Sequence, residues 1–198
     1  LGRGRGSFRS SHANYKIKDQ ILTTHTLRRL SVSTEEKQRI TLTDTESGAR
    51  IECRTEGGEL CVEVQTEGSR LSTTEGPTYN RMWLNLAAEA GEHIYGCGEQ
   101  YSRLDLRGSK VPLWVEEQGV GRGKGLITTF ANIHSQAGGH WYSTYYPATS
   151  FVGTEGWYCY AEAAAYAEFD FKPQHHYQLH FWELPIIRIG VEESFAAA

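Results

Sequence analysis

Apolar and polar residues alternate along much of this chain. Ile40 and Leu42 alternate with Thr41 and Thr43, and a Ser47-Gly48 turn leads into Ile51 and Cys53 alternating with Glu52 and Arg54. Gly57-Gly58 then turns the chain into Leu60, Val62 and Val64, which alternate with Cys61, Glu63 and Gln65. A period of two punctuated by glycine turns predicts an antiparallel meander with one buried face. Met82, Leu84 and Leu86 are expected to continue it. Two later runs alternate in the same way, Ala167-Glu168-Phe169-Asp170-Phe171 and Tyr177-Gln178-Leu179-His180-Phe181. Helical periodicity is weak: Ala161 to Ala167 is alanine-rich but runs straight into the alternation at Phe169, and Glu89 to His93 has room for one turn. The pattern therefore predicts an all-β sandwich or barrel with less than about 15% helix.

Composition narrows this picture. The 198 residues are 39% hydrophobic and 12% aromatic, enough for a packed core, and no apolar run approaches the ~20 residues of a membrane helix. Twenty Lys and Arg against 24 Asp and Glu leave a formal charge of -4, which argues against a basic nucleic-acid-binding domain. Cys53, Cys61, Cys97 and Cys159 form no C-x-x-C pair, so zinc and thioredoxin-type sites are not expected, and no cofactor is. The chain opens on Leu1 with neither methionine nor a charged-then-apolar leader, and none of its four asparagines begins a glycosylation sequon. These features point to a fragment from an intracellular setting.

Residues 1–24 are rich in Gly, Arg, Ser and Lys without apolar periodicity and read as a flexible N-terminal segment. Within it Arg3-Gly4-Arg5-Gly6 is similar to an RNA-binding RGG tract, but so short a tract supplies few phosphate contacts. Residues 25–190 read as one β-domain, and 191–198 as the start of a linker.

The densest segment runs from His93 to Arg122. Its glycines 119, 121, 123 and 125 invite a phosphate-loop reading, which fails on spacing: G-x-G-x-x-G requires glycine where Lys124 stands, and a Walker A loop requires glycine at Gln118. What the segment offers is a glycine-permitted excursion carrying Trp114, Glu116, Glu117, Gln118 and Arg122. Such groups suit recognition of hydroxyls and anions, and equally a solvated loop held together by its own polar pairs.

Tyr95-Gly96-Cys97-Gly98-Glu99-Gln100, then Asp105-Leu106-Arg107-Gly108, then Pro112-Leu113-Trp114-Val115-Glu116-Glu117-Gln118-Gly119-Val120-Gly121-Arg122-Gly123 resemble the N-terminal β-domain of glycoside hydrolase family 31. The Glu117–Gly123 portion is most similar to the sulfoquinovosidase branch. Tyr145-Tyr146-Pro147, Ser150-Phe151-Val152, Trp157-Tyr158-Cys159 and Ala167 to Phe171 extend the likeness, which spans about residues 27–195. The resemblance implies a galactose-mutarotase-like antiparallel β-sandwich that packs against a (β/α)8 barrel. In that barrel two aspartates, one the nucleophile and one the acid/base, carry a retaining mechanism. Neither aspartate falls in this sequence, so no catalytic residue is expected here. The implied partners are a sugar or sulfosugar glycoside and the barrel, with no role for nucleic acid or membrane. Glu117, Gln118 and Arg122 match the family's motif and are the expected substrate-binding or interface residues, with Arg122 pairing either Glu117 or a barrel carboxylate.

Other candidates are weaker. Glu116 and Glu117 are neighbours in an extended segment, so they point to opposite faces and make a poor acid–nucleophile pair. His176 and His180 sit at a metal-ligand spacing suited to a helix, but their pattern is a strand. No G-x-S-x-G occurs. Trp141, Tyr142, Tyr145, Tyr146, Phe151, Trp157, Tyr158 and Tyr160 read either as sandwich core plus a barrel-docking surface or as a sugar-stacking platform. A free-standing carbohydrate-binding module is thus the alternative reading. A mutarotase-like enzyme is a third, for which no Glu/His motif is present.

Overall fold

The computed structural model describes residues 1–11, 14–66, 79–123, 125–135 and 137–192. Strands β3 (Leu30–Glu36), β4 (Arg39–Asp44), β5 (Arg50–Glu56) and β6 (Glu59–Gln65) form the expected antiparallel meander. The meander is half of an eight-stranded sheet, completed by β14 (Ile187–Val191), β11 (Trp157–Ala161), β10 (Pro147–Gly153) and β8 (Ile94–Gly98) in that order across the sheet. β7 (Met82–Ala87) does not continue the meander. It pairs with β13 (His176–Phe181) in a four-stranded sheet that runs on through β12 (Ala167–Asp170) to β9 (Lys110–Leu113). The alternation of β7 fits either sheet, because period two fixes which face is buried and not which strand lies alongside.

The two sheets close over one core. The eight-stranded sheet contributes Ile94, Phe151, Cys159 and Ile187, and the four-stranded sheet contributes Val111, Phe169, Leu179 and Phe181. Phe151 meets Phe169 and Phe171 edge-on at ring-centroid distances of 5.7 and 5.0 Å. Burying each such ring contributes about 1.5–3 kcal/mol, so this layer dominates cohesion. One charged group is built into it. Glu92 is 2% exposed and accepts from Trp157 Nε1 and from the Tyr177 hydroxyl, both at 2.5 Å, which ties β11 to β13.

The N-terminal segment is not a flexible lead-in. It forms a long hairpin of β1 (Gly2–Ser11) and β2 (Asn14–Thr24). The hidden period is glycine itself: Gly2 and Gly4 face inward while Arg3 and Arg5 face water. A Cβ at Gly2 or Gly6 would collide with the rings of Trp83 or Trp182. Asn80 exchanges hydrogen bonds with the Gly4 backbone, and Arg81, 3% exposed, grips both oxygens of Asp19 at 2.8 Å. An inward face without side chains is invisible to a reading based on apolar periodicity. The expected linker at 191–198 lies almost wholly outside the described residues.

Candidate functional site

The chain leaves the four-stranded sheet after β9 and rejoins the eight-stranded sheet at β10, so residues 114–146 bridge the two as an arm. Its two legs are joined side by side. Val115 bridges Thr144, Glu116 N–H donates to Thr144 O at 2.9 Å, and Val120 N–H donates to Ala137 O at 2.9 Å. Gly119 (φ 67°) lies directly on the Gly138–Gly139 backbone, where any Cβ would clash. The expected positive φ values are present at Gly119, Gly121 and Gly123, and Arg122 shares them at 49°. Trp114 anchors the base of the arm, its ring 6.2 Å from those of Tyr15 and Tyr166.

The arm splits its two adjacent glutamates as their extended backbone requires. Glu116 is 6% exposed and accepts from Ser143 Oγ at 2.8 Å, whereas Glu117 faces outward and accepts from the Tyr145 hydroxyl. Arg122 Nη2 donates to Gln118 Oε1, and its guanidinium sits 4.2 Å from the centre of the Tyr101 ring. The Tyr101 hydroxyl donates to Glu99 Oε2 at 2.5 Å. Hydrogen bonds to the Glu99 and Glu117 carboxylates push the Tyr101 and Tyr145 phenols above their ordinary range. The expected pairing of Arg122 with Glu117 is not made. Arg122 lies four positions after Gln118, and the turn between them returns the guanidinium to the amide while Tyr145 takes Glu117.

Glu117, Gln118 and Arg122 therefore stand among Glu99, Tyr101 and Tyr145. The last three join them because β8 and β10 are neighbours, with Glu99 N–H donating to Tyr146 O at 3.0 Å. Glu99 and Tyr101 stand in or beside the Tyr95–Gln100 motif, which is the signal that could have found them. The group combines two carboxylates, an amide, a guanidinium and two phenols on an open surface. Such a set accepts from and donates to sugar hydroxyls. Glu116, turned inward to Ser143, does not join this set.

The aromatic run divides between core and surface. Phe151 and Trp157 join the core, while Tyr145, Tyr146 and Tyr160 remain open to solvent. The histidines do not converge. His176 and His180 lie about 13 Å apart along β13 at strand rise, and His180 stacks on Trp83 with ring centroids 4.7 Å apart. Burial pushes its imidazole below the ordinary range. Among the described residues no group of His, Cys, Asp and Glu could hold a metal.

Comparison with known proteins bears on the family and the fold. The family described as the glycosyl hydrolase 31 N-terminal galactose mutarotase-like domain matches residues 7–124. A sulfoquinovosidase of Escherichia coli (strain K12) is 42% identical over 127 residues, covering 64% of this chain and 18% of its own length. A sulfoquinovosidase of Agrobacterium fabrum (strain C58) is 32% identical over 186 residues, covering 92% of this chain and 26% of its own. Among solved structures, a GH31 family sulfoquinovosidase from E. rectale in complex with the aza-sugar inhibitor IFGSQ superposes with a TM-score of 0.86 at 31% identity. That match covers 97% of this chain and 28% of the neighbour. The chain thus spans about a fifth to a quarter of the length of these relatives. It belongs to the glycosyl hydrolase 31 N-terminal galactose mutarotase-like domain family.

Proposed function

We propose that this chain is the non-catalytic N-terminal domain of a retaining α-glycosidase of the sulfoquinovosidase type. In this reading its arm presents Glu117, Gln118 and Arg122 at the mouth of a catalytic (β/α)8 barrel that the same polypeptide supplies. The observation that carries the reading is the arm itself. A family motif is folded so that three polar side chains and two phenols share one open surface, while the neighbouring Glu116 is spent on holding the arm closed. Ligands of barrel enzymes bind at the loop-bearing face of the barrel, where such an arm would add contacts from outside. The arm's task is then positioning: it orders sugar hydroxyls, and the barrel performs the hydrolysis.

Arg122→Ala in the full-length polypeptide tests this. Hydrolysis of an aryl α-sulfoquinovoside or aryl α-glucoside is expected to lose at least tenfold in kcat/KM, about 1.4 kcal/mol. The melting temperature should move little, because the lost contacts are one hydrogen bond to Gln118 and one ring contact with the exposed Tyr101. Unchanged kinetics with a large loss of stability would mean that Arg122 only braces the arm. A second reading, a carbohydrate-binding module, draws on the exposed Tyr145, Tyr146 and Tyr160. It requires the 198-residue chain to bind a glycoside on its own, measurable by calorimetry.

A further inference from the structure

At the tip of the arm sits helix α1 (Gly125–Ser135), and it is amphipathic in the reverse of the usual sense. Its polar side faces the neck of the arm and the β1–β2 hairpin. Thr128, 2% exposed, donates from Oγ1 to Val120 O at 2.9 Å, Asn132 Oδ1 accepts from Gly138 N–H at 2.9 Å, and Ser135 O accepts from Ser11 Oγ at 3.0 Å. Its apolar side faces out. Leu126, Ile127, Phe130 and Ile133 are 79, 73, 63 and 73% exposed, and Val120 beside them is 52% exposed. At about 100° per residue the four helix positions fall within roughly a third of the circumference, so they form one stripe. A surface helix ordinarily buries such a stripe.

The chemistry of the stripe limits what covers it. The helix contains no Asp, Glu, Lys or Arg in a chain that is 22% charged, and its one basic side chain, His134, stacks on Phe130 within the stripe, so the face is dominated by apolar groups and suits another apolar protein face. The open apolar area is on the order of 500 Å², the size of the largest patches on monomers and often functional. That is short of the ~800 Å² each partner gives to a stable free complex, but it matches one side of a contact between domains of one chain, ~600–1,500 Å² in all. Relatives of this family member are about three and a half times its length, and a tethered domain meets its neighbour at roughly millimolar effective concentration, which a modest patch is able to exploit.

We infer that the outward stripe of α1 is the anchor by which this domain docks on the catalytic domain of its own polypeptide, and that docking there holds Glu117, Gln118 and Arg122 in place on the neck of the arm. This rests on the reading above that such a domain is present.

The test places Ile127→Glu and Phe130→Glu together in two proteins. In the 198-residue chain, where neither side chain supports the fold, the melting temperature is expected to stay within 2–3 °C (about the shift of a surface substitution) and any self-association to fall. In the full-length polypeptide the pair is expected to split calorimetric unfolding into two transitions and to open the junction between domains to protease. Leu126→Ser with Ile133→Ser is the milder second pair, expected to act in the same direction. Full-length unfolding and proteolysis unchanged by both pairs would overturn the inference. So would a wild-type dimer that the substitutions dissolve with the domains still coupled, since the occupant would then be a second copy. A polypeptide whose domains uncouple as expected, but whose wild type hydrolyses no α-glycoside, supports the anchor and overturns only the glycosidase reading.

Discussion

Asp44 shows how far one side chain can be committed. Its carboxylate is 1% exposed and takes hydrogen bonds from Ser47 N–H at 2.9 Å and Ser47 Oγ at 2.7 Å, with His25 Nε2 at 2.8 Å. The Ser47 hydroxyl first, then His25 and the Ser47 backbone, hold the carboxyl far below the ordinary range against the opposing effect of burial. A depressed native pKa contributes stability above the unfolded value near 3.9 and loses it as pH falls toward the native value. The chain should therefore lose melting temperature as pH drops below about 4. Asp44→Asn, less stable at pH 7, should show a shallower decline, and calorimetry across pH 3–7 measures both. Tyr177 makes a simpler case. Tyr177→Phe keeps the buried ring but removes a donor to the Glu92 carboxylate, so a loss of about 1.5–3 kcal/mol is expected in urea denaturation. A loss below 0.5 kcal/mol would mean that Glu92 finds another donor.

Among the elements, the β1–β2 hairpin is fastened by a buried ion pair in addition to the Asn80–Gly4 exchange. Arg81 is packed between the Asp19 carboxylate and the Trp182 ring, 4.4 Å from its centre, and breaking a buried pair by removing one partner typically costs ~3–5 kcal/mol. Arg81→Ala is thus expected to free the hairpin, with new tryptic cleavage at Lys16 or Lys18 while the two sheets stay folded. The hairpin also marks where sequence reading ran out. Strands β4 to β7, β12 and β13 were legible because large apolar residues mark every second position. β1 was not, because its inward marks are glycines, and β14 went unread although Ile187, Ile189 and Val191 alternate. α1 was missed for a different reason. Its apolar spacing at 126, 127, 130 and 133 is helical, but the glycines before it read as open loop, and no sequence pattern says that such a stripe faces outward. Glu117, Gln118 and Arg122 were legible from their motif. Their partners Glu99, Tyr101 and Tyr145 depend on the adjacency of β8 and β10, which local spacing does not encode.

At the scale of the molecule, β14 is the seam. The meander β3–β6 joins the β11–β10–β8 half of the large sheet through β14, which pairs with β6 at Ile187, Arg188 and Ile189 and with β11 along its whole length, and the Tyr158 hydroxyl of β11 reaches over it to Glu59 of β6 at 2.9 Å. Across the seam Arg188 ties Glu162 at 2.6 Å to Glu59 at 3.4 Å. A chain ended at residue 185 is expected to lose cooperative thermal unfolding, with near-UV circular dichroism collapsing, rather than to shed one strand. Retention of a single sharp transition would show that the halves cohere through the core alone.

The seam also sets a clock. Residues 66–186 separate β6 from β14. At about 5–20 residues per second a ribosome takes on the order of ten seconds to cross that interval. For that time the nascent meander has a bare edge at β6 with Leu60 beside it. The interval belongs to synthesis rather than to the finished protein, so slow codons between residues 66 and 186 should raise the demand for chaperones.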